Sequence, residues 1–116
     1  MNFKEANLNY LIELSNGEPS IIGEMIRMFL EQTPNHVQDL AKAIENHDWE
    51  QIKGMAHHIK PTLAYMGAEE MRKVLQEIET LASERKDYEI IVNEFEVVLP
   101  RFQTLFQELG SYLAEM

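Results

Sequence analysis

The sequence predicts an all-α protein, an antiparallel four-helix bundle in which a short N-terminal helix caps one end. Apolar residues recur at three- and four-residue steps along almost the whole chain, which is the period of a helix with one buried face. No run of residues alternates between apolar and polar, as a half-buried strand would. The connections between the periodic segments are short, and short connections place consecutive helices antiparallel.

The composition predicts one domain, residues 1–116, with a single core. Apolar residues make up 45% of the chain, too many for a disordered protein, and the absence of cysteine excludes disulfide frameworks and thiol nucleophiles. The net charge of −10 repels phosphate backbones, so nucleic acid is not an expected partner. No segment is typical of a signal peptide or a transmembrane helix, and we expect a cytoplasmic protein without membrane contact.

Prolines and turn residues set the boundaries of the first three predicted helices. A short helix from about Asn7 to Leu14 ends at the sequence SNGEP. Pro19 suits the first turn of the second helix, where its missing N–H costs no hydrogen bond. This helix is predicted to stop before Pro34, because Thr33 and Pro34 resemble an N-cap and a first-turn proline. The third helix is predicted to close at the sequence ENHD, 45–48.

The second half of the chain contains three further predicted helices. Asp48 is the expected N-cap of the fourth, with Gln51 in the position of a capping-box partner. Gly67 suits the position just after its C-terminus. A fifth helix is predicted from about Glu69 to Glu84, and the last helix from about Asp87 to the C-terminus.

The fourth helix carries its apolar residues in a seam that excludes two adjacent histidines. The seam consists of Trp49, Ile52, Ala56, Ile59, Leu63 and Met66. At about 100° per residue, His57 and His58 lie on opposite sides of this seam, each about 130° from its centre. Neither is therefore predicted to be a core histidine.

The two histidines differ in their neighbours at helical steps. Beside His57 are three small residues and two lysines: Gly54, Pro61, Ala64, Lys53 and Lys60. Beside His58 are bulkier uncharged residues: Gln51, Met55, Thr62 and Tyr65. Small neighbours leave an imidazole open to another macromolecule, and two ammonium groups within a turn attract a phosphoryl group. His57 is therefore the candidate functional residue, and His36, His47 and His58 are interpreted as ordinary surface histidines.

The stretch AHHIKPTLAYMGAEEM resembles the signature of histidine-containing phosphotransfer (HPt) domains, usually alanine-histidine-any-leucine-lysine-glycine-serine with a glycine-small pair further on. The residues in register are Ala56, His57, Ile59, Lys60, Thr62, Gly67 and Ala68. The resemblance extends upstream over an aromatic-leucine helix end, a proline-started helix and an Asp-Trp pair. It departs at Pro61, where the family has glycine. Proline there removes the N–H that the carbonyl of His57 would accept. We expect a bend near Lys60 rather than a break, because the apolar seam continues in phase to Met66.

The resemblance implies a phosphorelay intermediate. His57 would accept a phosphoryl group from the aspartate of a response-regulator receiver domain and pass it to another receiver aspartate. Lys60 and Lys53 would stabilise the phosphate, and Glu79 or Gln76 of the following helix would orient the ring. The implied partners are receiver domains and a hybrid sensor histidine kinase, acting on a monomer of this protein.

The same resemblance implies that the chain needs no cofactor, since the receiver domain would supply Mg²⁺. The sequence has no glycine-rich nucleotide loop, so we expect a phosphoryl carrier that is not an enzyme, without ATP binding or autokinase activity. The small residues Gly54, Pro61 and Ala64 are predicted to form the docking face.

Two alternative functions fit the same helical pattern. The first is a helical interaction module without phosphate chemistry, in which the face around His57 only docks a partner. The second is a metal-binding bundle, which in the di-iron class places Glu-x-x-His on inward faces. The residues three positions before the histidines are Thr33, Ile44, Gly54 and Met55. None is glutamate, and no metal ligands are predicted.

Overall fold

The structure is a computed structural model that describes residues 2–116, and within them it contains helices and no strand. The helices are α1 (Asn9–Leu14), α2 (Pro19–Glu45), α3 (Trp49–Tyr65), α4 (Glu69–Glu84) and α5 (Tyr88–Ala114). The four long helices form a bundle of 43 × 22 × 21 Å, in which α3 contacts α2 and α4, and α5 contacts α4 and α2. The predicted all-α bundle is confirmed. No helix in this range is both long enough and apolar enough to cross a membrane.

The predicted helix break at Thr33–Pro34 is wrong. α2 is a single helix of 27 residues with Pro34 in its interior. The proline removes one backbone hydrogen bond, at a typical cost of about 3 kcal/mol. Burial outweighs this cost, because the buried residues keep the same helical phase on both sides of Pro34: Ile22, Ile26, Phe29, Thr33, Val37, Leu40 and Ile44. A break would rotate half of this stripe out of the core.

The N-terminal segment and α1 close one end of the bundle. Leu11 of α1 is fully buried. The amide of Asn7 donates to the carbonyl of Met66, at the end of α3, over 2.9 Å. The carboxylate of Glu108, in α5, accepts the amide of Ala6 at 3.0 Å. These contacts confirm the predicted N-terminal cap.

Both ends of α3 follow the sequence prediction. Asp48 caps the N-terminus, since its Oδ1 accepts the amide of Gln51 at 3.2 Å. Gly67 follows the C-terminus in the left-handed region, with φ of +69°. A Cβ at this position would also overlap the backbone carbonyl of Asn7, so both the turn and the passing N-terminal segment require glycine. Between its ends α3 continues through Pro61 without a break.

An aromatic cluster closes the opposite end of the bundle. The ring of His47 stacks on Tyr88 with 3.6 Å between centroids, and Trp49 meets Tyr88 edge-on at 5.1 Å. The Tyr88 hydroxyl donates to the carbonyl of Ile44. His47 is exposed, as expected, but it packs against neighbours rather than standing alone.

Candidate functional site

His57 projects from the middle of α3, and 70% of its side chain is exposed. Gly54 and Pro61, on the same face, are exposed, and Ala64 is half-buried. A Cβ added to Gly54 would meet no atom within 4 Å. The face from 54 to 64 therefore presents the imidazole among small side chains along about 15 Å of helix.

A carboxylate of α4 joins His57 to Lys60. Glu79 Oε2 lies 2.8 Å from His57 Nδ1, and Glu79 Oε1 accepts from Lys60 Nζ at 2.7 Å. Gln76, one turn earlier on α4, accepts from the same ammonium at 2.6 Å and donates to Thr80 Oγ1 at 3.1 Å. Of the two residues offered for ring orientation, Glu79 contacts the ring and Gln76 contacts the lysine.

The charge state of Glu79 determines which nitrogen of His57 carries the proton. Burial raises the pKa of Glu79, but the hydrogen bonds from Lys60 and His57 outweigh burial and hold that pKa below its usual range. An ionised carboxylate can only accept hydrogen bonds, so Nδ1 of His57 must donate to it. In the neutral imidazole the lone pair is then on Nε2, which makes Nε2 the nucleophilic atom.

Lys60 and Lys53 are held differently. Lys60 is only 20% exposed, and two of its three N–H donors are taken by Gln76 and Glu79. One donor remains for a further acceptor beside the imidazole. Lys53, one turn before His57, is half-buried beside the same α4 side chains, and it takes part in none of the ion pairs found among residues 2–116.

His58 faces α2 rather than α4. Its ring meets that of His36 edge-on, with 4.4 Å between centroids and 89° between planes. The two rings line an apolar groove of about 270 Å³ with Met25, Met28, Phe29, Gln32, Thr33, Thr62, Tyr65 and Met66. Within residues 2–116, no three histidine, aspartate or glutamate side chains are grouped so as to hold a metal ion.

His36 is half-buried, so the interpretation of it as an ordinary surface residue is incomplete. Burial lowers its pKa, the nearby His58 lowers it further, and Asp39 opposes both effects. Its Nδ1 is buried and has no hydrogen-bond partner. No spacing rule could reveal the contact with His58, because the two residues lie on different helices.

Among residues 2–116, the structure is a helical bundle that exposes one histidine, His57, in contact with a carboxylate. The family model of the Hpt domain matches residues 24–115, and the chain therefore belongs to the Hpt domain family. This membership gives it a phosphotransfer role in two-component signalling, as a phosphocarrier rather than a kinase.

The fold is similar to that of a solved structure, the HPT domain of an Hpt sensor hybrid histidine kinase from Shewanella. The TM-score is 0.84 at 19% sequence identity, and the match covers 97% of this chain and 96% of the other. No curated protein matches the sequence significantly. The likeness at this identity concerns the fold.

Proposed function

We propose that His57 carries the phosphoryl group in a relay between receiver domains. The lone pair on Nε2 attacks the phosphorus of a receiver aspartyl phosphate. The N–P bond forms as the P–O bond to the aspartate breaks, and the electron pair of that bond goes to the aspartate carboxylate. The second step reverses this exchange on another receiver. The supporting observation is the exposed ring of His57 with Nδ1 bound to the ionised Glu79.

Lys60 stabilises the phosphoryl group with its remaining N–H donor. Its other two donors hold the ammonium in place, so little side-chain freedom is lost when the phosphate arrives. Lys53 adds positive charge one turn away. These two ammonium groups offset the repulsion between a phosphoryl group and a chain of net charge −10.

Receiver domains dock over the small face formed by Gly54, Pro61 and Ala64. Small side chains on this face let a partner backbone come close enough for its aspartyl phosphate to reach Nε2. The receiver supplies the Mg²⁺ and this chain supplies the nucleophile and the lysines, without binding ATP. The hybrid sensor kinase as partner, the monomeric state and the cytoplasmic location are parts of the same proposal.

The test is a transfer assay with a panel of isolated receiver domains carrying labelled aspartyl phosphate. Label is expected to move to this chain from at least one receiver and then to an unlabelled second receiver added later. Each pair is measured in both directions, which also gives the direction of flow. If receivers bind the chain but none transfers label to it, the chain is an interaction module and the relay is wrong.

A further inference from the structure

The Glu79 carboxylate that contacts Nδ1 of His57 would also contact the phosphorylated ring. Resting on the proposed phosphorylation of His57, we propose that the charge of Glu79 keeps a proton on Nδ1 throughout the transfer cycle. The phosphohistidine is thereby held in its cationic form, which releases the phosphoryl group readily. Glu79 is then a positioning residue that also sets the lifetime of the phosphorylated state.

The proton balance of the transfer supports this role. Neutral His57 begins with hydrogen on Nδ1, and attack by Nε2 leaves a ring that carries both Nδ1–H and the new N–P bond, with one positive charge. Breaking that bond returns the electron pair to Nε2 and regenerates the starting tautomer, so no proton has to move. If Nδ1 lost its proton, cleavage would expel an imidazolate, which is a far poorer leaving group.

The structure holds the carboxylate against the ring, with Oε2 of Glu79 2.8 Å from Nδ1 of His57. Glu79 is 15% exposed, so solvent screens its contact with His57 less than it screens a surface pair. Lys60 binds the other carboxylate oxygen and holds it in place. The charged groups around the ring are Lys53 and Lys60 on α3 and Glu79 on α4. Glu84, also on α4, lines the shallow pocket that contains Lys53 and Glu79. Because Lys60 offsets part of the anionic charge, we expect a moderate effect, about tenfold in lifetime.

The experiment compares hydrolysis of phosphorylated wild type and Glu79→Gln across a series of pH values. Phosphoramidate, a small donor, loads the phosphoryl group without any receiver. Glutamine has the same size but only one acceptor oxygen for the two donors, Nδ1–H of His57 and Nζ of Lys60. The ¹⁵N chemical shifts of His57 are therefore recorded in the variant, to establish that Nδ1–H keeps its acceptor while the charge is lost. We expect the variant to hydrolyse about tenfold more slowly at alkaline pH, with the midpoint of its rate profile at lower pH. Glu77→Gln, an exposed carboxylate on α4, is the matched control and should follow the wild type.

The possible outcomes separate this inference from the relay. If the hydrolysis rates of wild type and Glu79→Gln have the same pH profile, the charge of Glu79 does not set the lifetime of the phosphohistidine, and the relay is unaffected. If the pH profile of Glu79→Gln is shifted but no receiver phosphorylates the chain, the role of Glu79 is supported and the relay is overturned. If phosphoramidate does not label His57, the inference is overturned.

A measurement on the wild type alone covers the case in which Glu79→Gln fails to fold. The phosphorylated chain is divided, and hydrolysis is followed in buffer and in urea, where His57 is separated from Glu79. Native protein should lose its phosphoryl group faster than unfolded protein at alkaline pH. Equal rates would overturn the inference.

Discussion

His57 and His58 are neighbours in sequence and about 100° apart on α3, yet they lie in opposite environments. His57 is mostly exposed and contacts an ionised carboxylate from α4. His58 faces α2 across an apolar groove, and its ring contacts the imidazole of His36. Residue type and helix position do not by themselves make a histidine nucleophilic. For His57, the neighbouring helix α4 supplies the Glu79 carboxylate, which holds the proton on Nδ1 and leaves the lone pair on Nε2.

The largest difference should appear when each histidine is replaced by glutamine. His57→Gln should abolish phosphoryl acceptance from receivers and from phosphoramidate, because it removes the only carboxylate-held imidazole among residues 2–116. His58→Gln should retain acceptance within about twofold, since His58 takes part in no ion pair with a carboxylate among residues 2–116. Both are measured as initial rates of label incorporation, with folding checked by circular dichroism. Loss of acceptance in His58→Gln with retention in His57→Gln would reverse the assignment.

The two lysines near His57 provide the next largest contrast. Lys60→Ala should slow transfer from a receiver by about 10- to 100-fold, the usual value of a hydrogen bond to a charged group. Lys53→Ala should have a smaller effect, because no ion pair among residues 2–116 holds that ammonium in place. Single-turnover transfer rates compare the two, with the exposed Lys86→Ala as control. Equal rates in Lys60→Ala and wild type would remove Lys60 from the mechanism.

The open surface beside His57 can be blocked without disturbing the ring. Gly54→Arg should slow transfer from receivers by about tenfold, as expected for the loss of about 1.4 kcal/mol of docking free energy, and leave labelling by phosphoramidate unchanged. A similar decrease in both reactions would mean that the substitution damages the site rather than the docking face.

The same glycine should also affect stability. Gly54→Ala should raise the free energy of unfolding by about 0.5–1 kcal/mol, because alanine favours the helix and a Cβ meets no atom there. Gly110→Ala is the matched control in α5, where a Cβ also has open space. Urea unfolding measures both. A decrease in stability for Gly54→Ala alone would contradict the open surface.

The smallest predicted effect concerns the side of α3 that carries His58. The pKa of His36 is lowered in the fold, so the native state binds fewer protons than the unfolded chain as pH falls below about 6.5. The free energy of unfolding should therefore decrease as pH falls from that value through the lowered native pKa. The decrease should be smaller in His36→Leu, as measured by urea unfolding at a series of pH values. If the free energy of unfolding falls equally with pH in wild type and in His36→Leu, His36 does not contribute to the pH dependence.

The positions of side chains around α3 could be predicted from the sequence, whereas individual side-chain contacts between two helices could not be assigned. The exposure of His57 and the small face around it follow from spacing within α3. The choice between Glu79 and Gln76 stayed open, because it depends on how α4 pairs with α3. The contact between His36 and His58 required both α2 and α3.

The error at Pro34 has a different origin. Thr33 and Pro34 have the residue types of a helix start, and this local signal outweighed the periodic one in the prediction. The apolar stripe of α2 continues in phase across Pro34, and Thr33 lies within it with 1% of its surface exposed. The same continuity correctly predicted an unbroken α3 at Pro61. Phase across a proline is therefore the stronger signal in this chain.

The most direct test of phosphoryl transfer through Nε2 of His57 is the position of the phosphoryl group on the protein. Uniformly ¹⁵N-labelled chain is phosphorylated by a receiver, and NMR then identifies the nitrogen coupled to phosphorus. We predict a single phosphorylated residue, His57, with phosphorus on Nε2 and hydrogen on Nδ1. Phosphorus on Nδ1 of His57, or on any other histidine, would contradict it.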